Sequence, residues 1–198
     1  MPMIPTVKDV SPRGERYFDL FSKLLNDRII IITEDINDHM MGVIISQLLY
    51  LEAEDSTQPI HIYISSPGGS VMAGFAILDT MELISAPVYT YAMGMVASMA
   101  AVLFTCGEKG HRYILPNAEV MIHQPLGGYS GQASDIEIHA NHILKLKSRL
   151  YKILSAATGK TAKTIEKASD RDNYLEADEA IAFGLADKII TKLSSKEK

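Results

Sequence analysis

The chain has 198 residues, of which 47% are hydrophobic, enough for one domain to enclose a single continuous core. Its net charge of -5 comes from acidic and basic residues mixed along the chain, with no basic stripe of the kind a nucleic-acid backbone requires, so DNA and RNA are not expected as partners. A lone cysteine, Cys106, excludes an intrachain disulfide; its apolar neighbours read as the surroundings of a buried, inert thiol, and a reducing, cytoplasmic setting is expected.

Residues 1–14 carry three prolines, a glycine and no sustained periodicity, which predicts a flexible arm. They lack a basic start followed by an unbroken apolar run, so they do not read as a secretory signal. From Glu15 onward, Tyr17, Leu20, Phe21, Leu24 and Leu25 recur at the spacing of an amphipathic helix, and "RIIIIT" follows as a buried strand. The alternation then repeats. "NDHMMGVIISQLLYLEAED" opens on Asn37 and Asp38 with helical spacing, "IHIYIS" is a short β-branched strand, and "SVMAGFAILDTMELIS" is helical again. "VYTYAM" is the next strand, and the apolar segment that holds Ser98 the next helix. That segment, residues 92–106, is shorter than the ~20 residues a bilayer demands and is interrupted by Gly94 and Ser98; it reads as core, and no membrane association is expected.

Strands alternating with helices imply parallel pairing through right-handed crossovers and an α/β fold class. Beyond Gly110, "RYILP" and "EVMIHQP" read as two short strands, followed by the loop "LGGYSGQ" and a long helix over residues 133–157. At 1.5 Å per residue that helix is roughly 37 Å long, comparable with the diameter of a domain of this size, so part of it is expected to project. Its stripe of Ile136, Ile143, Leu146, Leu150, Ile153 and Leu154 continues to the end, and a projecting portion needs another subunit to cover it. An oligomer is therefore expected. The chain closes on a charged tail, "SSKEK".

Candidate chemistry sits at a few positions. "GKT" at residues 159–161 resembles the end of a phosphate loop, but the required glycine five positions earlier is replaced by Leu154, and the triplet follows a helix; no nucleotide cofactor is expected. "YISSPGGS" is a strand ending in a Pro-Gly-Gly turn before a helix. Gly68 and Gly69 serve there either as turn residues or as backbone whose bare amides reach a ligand oxygen. Ser98 lies where a strand gives way to a helix, where unpaired amides such as Met99 N–H favour developing negative charge. Val96 and Ala100 occupy the glycine positions of the hydrolase elbow, so that motif is not satisfied, and a structural serine is the competing reading. Among six histidines, His39, His139 and His142 fall on helix patterns with partial exposure, His111 lies in a polar turn, and His61 and His123 lie on strands. His123 ends its strand just before a proline-broken loop, the place from which α/β sheets present reactive groups, although a core histidine fits as well. Asp172 stands in the polar loop "SDRDNYL"; by pattern alone it and Asp170 are indistinguishable from helix-capping or surface aspartates.

Taken together, "YISSPGGS", "GMVASMAAVLF", "LPNAEVMIHQPLGGYSGQASDIEIHA" and "SDRDNYLEADEAIAFGLAD" resemble the ClpP family, the proteolytic subunit of the ATP-dependent Clp protease, in order and spacing over nearly the whole chain. The resemblance implies crotonase-like repeated β-α units in one protease domain over residues 15–193, with residues 1–14 as an axial arm and residues 124–158 as the loop and handle helix of a ring-to-ring contact. It places a catalytic triad on Ser98, His123 and Asp172 and oxyanion amides on Gly68 and Met99. It also implies substrate-binding edges at Gly69, Ser70, Leu126 and Gly127, and a ring-to-ring pair at Asp170 and Arg171. An unfoldase-docking pocket falls on Leu49, Tyr63, Tyr91, Tyr113 and Leu115, where ordinary core packing is the competing reading. The implied particle is two stacked heptameric rings, fed with unfolded polypeptides by a hexameric AAA+ unfoldase of the ClpX, ClpA or ClpC type, with no metal or cofactor. Two alternatives differ in class: an acyl-CoA enzyme of the crotonase type, which also uses backbone amides around an oxyanion, and a catalytically silent ring subunit.

Overall fold

The computed structural model describes residues 5–11 and 14–192. At the N-terminal end, β1 (Thr6–Ser11) and β2 (Gly14–Asp19) pair antiparallel, with Thr6 opposite Asp19 and Ser11 opposite Gly14. One expectation for this end is thereby corrected. The segment expected as an arm contributes a strand, and the helix expected from Glu15 begins only at Leu20, because a hairpin partner supplies backbone hydrogen bonds that outweigh helical spacing. Asp19 starts α1 (Leu20–Asn26) as an N-cap, accepting from Ser22 N at 3.0 Å. Residues 1–4 of the expected arm and the tail at residues 194–198 lie outside the described residues.

The main sheet follows the expected alternation: β3 (Ile29–Ile32), α2 (Asp38–Glu54), β4 (Ile60–Ser66), α3 (Val71–Leu83), β5 (Val88–Ala97), α4 (Met99–Thr105), β6 (Arg112–Ile114) and β7 (Glu119–Ile122). Asn37 caps α2 by accepting from Met40 N at 2.9 Å, and Ser70 caps α3 by accepting from Ala73 N at 3.3 Å. After the long α5 (Ala133–Thr158) come α6 (Ala162–Ala168), β8 (Asn173–Glu176), α7 (Ala177–Phe183) and β9 (Lys188–Ile189). The fold is α/β. Strands β3, β4, β5, β6 and β9 lie side by side, all parallel.

β5 divides this sheet. Its first half, Thr90 to Ala92, pairs with β6, and its second half, Met95 to Ala97, pairs with β7, with Gly94 at φ 57° between them. β8 then adds antiparallel to β7. The resulting branch β5–β7–β8 ends at the residues singled out in the sequence.

Burial explains the composition of each element. The isoleucines Ile30, Ile32, Ile62 and Ile64 of the central strands are inaccessible, and α2 turns Ile44, Leu48 and Leu51 inward at four- and three-residue spacing. Every residue of α4 is buried, which accounts for the apolar run around Ser98: a helix surrounded by protein has no polar face. In contrast, α5 buries only Leu150, Tyr151 and Leu154 near its C-terminal end, while Ile136, Ile138 and Leu144 are exposed. "GKT" is a helix-to-helix corner. Gly159 ends α5 in the left-handed region at φ 72°, and Thr161 caps α6 by accepting from Thr164 N at 3.2 Å.

One buried cation binds several of these elements together. Arg112, 3% exposed, donates from Nη1 to the carbonyls of Thr105, Ala157 and Gly184, which lie at the C-terminal ends of α4, α5 and α7. Those carbonyls are the ones a helix leaves without an internal partner, and they carry the negative end of its dipole. Asp187 completes the arrangement, accepting from Arg112 Nε at 2.8 Å and Nη2 at 2.5 Å. Among the described residues no helix is long and apolar enough to cross a membrane.

Candidate active site

Two strand registers assemble the site. In the parallel pair β5 and β7, Ala97 lies opposite Met121, and Ser98 N donates to Met121 O at 2.9 Å, so the chain leaves both strands side by side, at Ser98 and at His123. In the antiparallel pair β7 and β8, Ile122 lies opposite Asn173; one step beyond the ladder, the same register sets His123 opposite Asp172. Three segments distant in sequence thus end within reach of one another. His123 Nε2 is 2.8 Å from Ser98 Oγ, and His123 Nδ1 is 2.9 Å from Asp172 Oδ1. The imidazole is largely covered, with 13% of its side chain exposed, whereas 59% of the Asp172 side chain is in contact with solvent.

The backbone at Ser98 is strained, with φ 56° and ψ −123°. A non-glycine residue in such a conformation costs about 1–3 kcal/mol and persists only where the surroundings enforce it. Here β5 and the fully buried α4 enforce it, and the chain makes the sharp strand-to-helix turn of a hydrolase elbow without that motif's glycines. Met99 N–H opens α4 and has no acceptor among the described residues.

The Pro-Gly-Gly turn abuts this elbow. A Cβ on Gly68 would stand 2.7 Å from both Ala97 O and Ser98 Cβ, and one on Gly69 would stand 2.3 Å from Ile36 O; both residues also have positive φ. Gly68, expected to supply an oxyanion amide, lies against Ser98 and Met99, and its N–H donates to Ser66 Oγ at 3.2 Å. Gly69 is bridged in parallel to Ile36 by bonds that use Gly68 O and Ser70 N, so its own N–H points to the opposite side and meets no acceptor among the described residues. Ser66, which sequence reasoning passed over, holds the turn: its hydroxyl donates to Glu34 O at 2.7 Å and accepts from Gly68 N. A serine two residues before a glycine turn was the available signal.

The remaining expected residues divide. Leu126 is 84% exposed, Gly127 packs against Ile143 of α5, and Ser70 N donates to Ile36 O. Asp170 and Arg171 are exposed. Tyr63, Tyr91, Tyr113 and Leu115 do come together, with Tyr91 stacked 4.3 Å from Tyr63 and 5.0 Å from Tyr113, and Tyr91 and Tyr113 are buried. Leu49 stands on α2, 47% exposed. The other strand histidine, His61, is buried and bonds Tyr91 Oη at 2.8 Å, while His111 bonds Tyr113 Oη and stacks on Tyr89. Cys106 is partly buried, and burial, helped by the charge of Glu82, pushes its thiol up to about 12. No group of His, Cys, Asp or Glu able to hold a metal occurs among the described residues.

Beside Ser98 and His123 lies a small cleft walled by Val71, Val102, Ile122, Leu150 and Leu154. A hydroxyl bonded to an imidazole, itself bonded to a carboxylate, next to unpaired amides and an apolar cleft, is an arrangement able to carry out acyl transfer. A sequence model of the Clp protease family matches residues 12–193, nearly the whole chain. The chain belongs to the Clp protease family of peptidases.

Proposed function

We propose that this peptidase is a serine endopeptidase in which Ser98 is the nucleophile, His123 the general base and Asp172 the group that orients the imidazole. What supports this reading above all is the continuous contact from Ser98 Oγ through both His123 nitrogens to Asp172, at 2.8 and 2.9 Å. His123 Nε2 takes the hydroxyl proton as Oγ attacks the peptide carbonyl, then returns it to the leaving amine; a water molecule, activated by the same nitrogen, releases the acyl group from Ser98. The negative oxygen of the tetrahedral intermediate is received by the amides of Met99 and of Gly68, whose backbone lies against Ser98 and Met99. Removing one such donor typically costs about 3–4 kcal/mol of transition-state stabilisation. The apolar cleft receives the side chain preceding the scissile bond, which favours aliphatic residues there. The contact between hydroxyl and imidazole goes against the acyl-CoA alternative, which needs the amides but no nucleophile.

Members of this family work with Clp ATPases in oligomers, and the exposed Ile136, Ile138 and Leu144 on α5 support an assembly here. In our reading that assembly is two stacked heptameric rings enclosing the sites, with α5 and the loop from residue 124 between rings and Asp170 and Arg171 at their contact. The N-terminal segment forms the gate, the tyrosine cluster with Leu49 and Leu115 receives an AAA+ unfoldase, and unfolded polypeptides lie along Leu126 and Gly127 on one side and Gly69 on the other. The test is cleavage of short fluorogenic peptides without ATP, with labelling by a fluorophosphonate. Ser98→Ala should abolish both while leaving the particle mass unchanged; undiminished cleavage by that variant would sink the proposal.

A further inference from the structure

We propose that Gln124 is a positioning residue: its side chain ties the strand end that presents His123 to the loop that presents Asp172, and fastens both to α5. This rests on the triad reading above. Gln124 follows His123 directly and precedes Pro125, which disfavours a helical backbone at Gln124 and keeps the chain extended where it leaves β7. Its Nε2 donates to Asp170 O at 2.8 Å, and its Oε1 accepts from Lys147 Nζ at 3.1 Å. The amide can sit only one way round, since the reverse would set its NH2 against an ammonium and its oxygen against a carbonyl oxygen.

The need for such a tie follows from the register. The backbone ladder between β7 and β8 stops at Ile122 and Asn173. Beyond it, Asp170, Arg171 and Asp172 are exposed, and among the described residues this short run is held by two hydrogen bonds, Gln124 to Asp170 O and His123 to Asp172. Without the first, the distance between imidazole and carboxylate rests on a single contact to a half-exposed side chain. Lys147 extends the connection. It lies three and four residues before Leu150 and Tyr151 on α5, which line the cleft beside Ser98, so one stretch of helix both walls the cleft and anchors the tie.

The test is a double-mutant cycle measured on the assembled particle. Gln124→Met keeps the length of the side chain and removes both bonds. It should lower kcat for a short peptide, and the rate of fluorophosphonate labelling, by about ten- to a hundredfold, the scale on which small misplacements of reacting groups act, with KM changed less than about twofold. In an Asp172→Asn background the same substitution should change either rate less than about twofold, because a residue that works through Asp172 has nothing left to position. Gln124→Glu retains an acceptor for Lys147 but cannot donate to Asp170 O, and should fall with Gln124→Met. Lys147→Met removes the anchor without altering the loop; a smaller loss that vanishes in the Asp172→Asn background supports the tie to α5. An equal loss in both backgrounds would make Gln124 a packing residue and overturn the inference, as would an unchanged rate in the parent. Activity that survives Ser98→Ala overturns the triad reading and this inference with it, whereas a Ser98-dependent enzyme indifferent to Gln124→Met overturns the inference alone.

Discussion

Asp172→Asn tests how much an exposed carboxylate contributes to a triad. The substitution keeps the size of the side chain and its contact with His123 but removes the charge that stabilises the imidazolium formed as Ser98 attacks. With 2.9 Å between Oδ1 and Nδ1, Coulomb's law gives ~1.4 kcal/mol at the dielectric constant of water and ~6 kcal/mol at an effective value of 20. Because 59% of the side chain is exposed, the interaction falls towards the lower limit, and we expect a loss of ~2–3 kcal/mol, about a hundredfold in kcat. A buried triad aspartate, by comparison, costs about ten-thousandfold when it becomes asparagine. The assay is steady-state cleavage of a fluorogenic peptide by particles of verified mass, with KM expected to stay within about twofold of the parent, as for an interaction made in the transition state. Two results refute the reasoning. A loss near ten-thousandfold would mean that assembly withdraws the carboxylate from water, and a loss under about threefold would mean that the charge takes no part.

Three further outcomes follow from groups elsewhere. Asp187→Ala leaves the Arg112 guanidinium, 3% exposed, without its carboxylate; breaking a buried pair in this way costs about 3–5 kcal/mol, to be read as a lowered denaturant midpoint. Burial alone would raise the Asp187 carboxyl, but its bonds from Arg112 and Gly110 outweigh that and hold it below the usual carboxylate range. The stability it contributes is therefore fully present above about pH 4 and lost as the pH falls through the lower folded value, a loss that acid titration should show in the parent and not in Asp187→Ala. Cys106, its thiol pushed up to about 12, should resist iodoacetamide at neutral pH in the native particle and react only on unfolding; rapid alkylation detected by mass spectrometry would contradict the burial described for it.

What the sequence alone determined is local in origin. Strand and helix periodicities, the helix start at Asn37 and the all-apolar α4 depend on neighbours two to four residues away, so the α/β class and the order of β3 to β7 were legible. So were the placement of Ser98 at a strand-to-helix junction and of His123 at a strand's end. The N-terminal hairpin was not, because pairing with a partner strand overrode the helical spacing at Tyr17 and delayed the helix to Leu20. Nor was the choice between Asp170 and Asp172. Both are polar loop residues, and only the antiparallel register of β7 with β8 sets residue 172 against the imidazole while giving the carbonyl of residue 170 to Gln124. Tertiary structure decided these points because strand register and amide direction are fixed by hydrogen bonds between segments far apart in the chain, and no local pattern of residue types records which donor meets which acceptor.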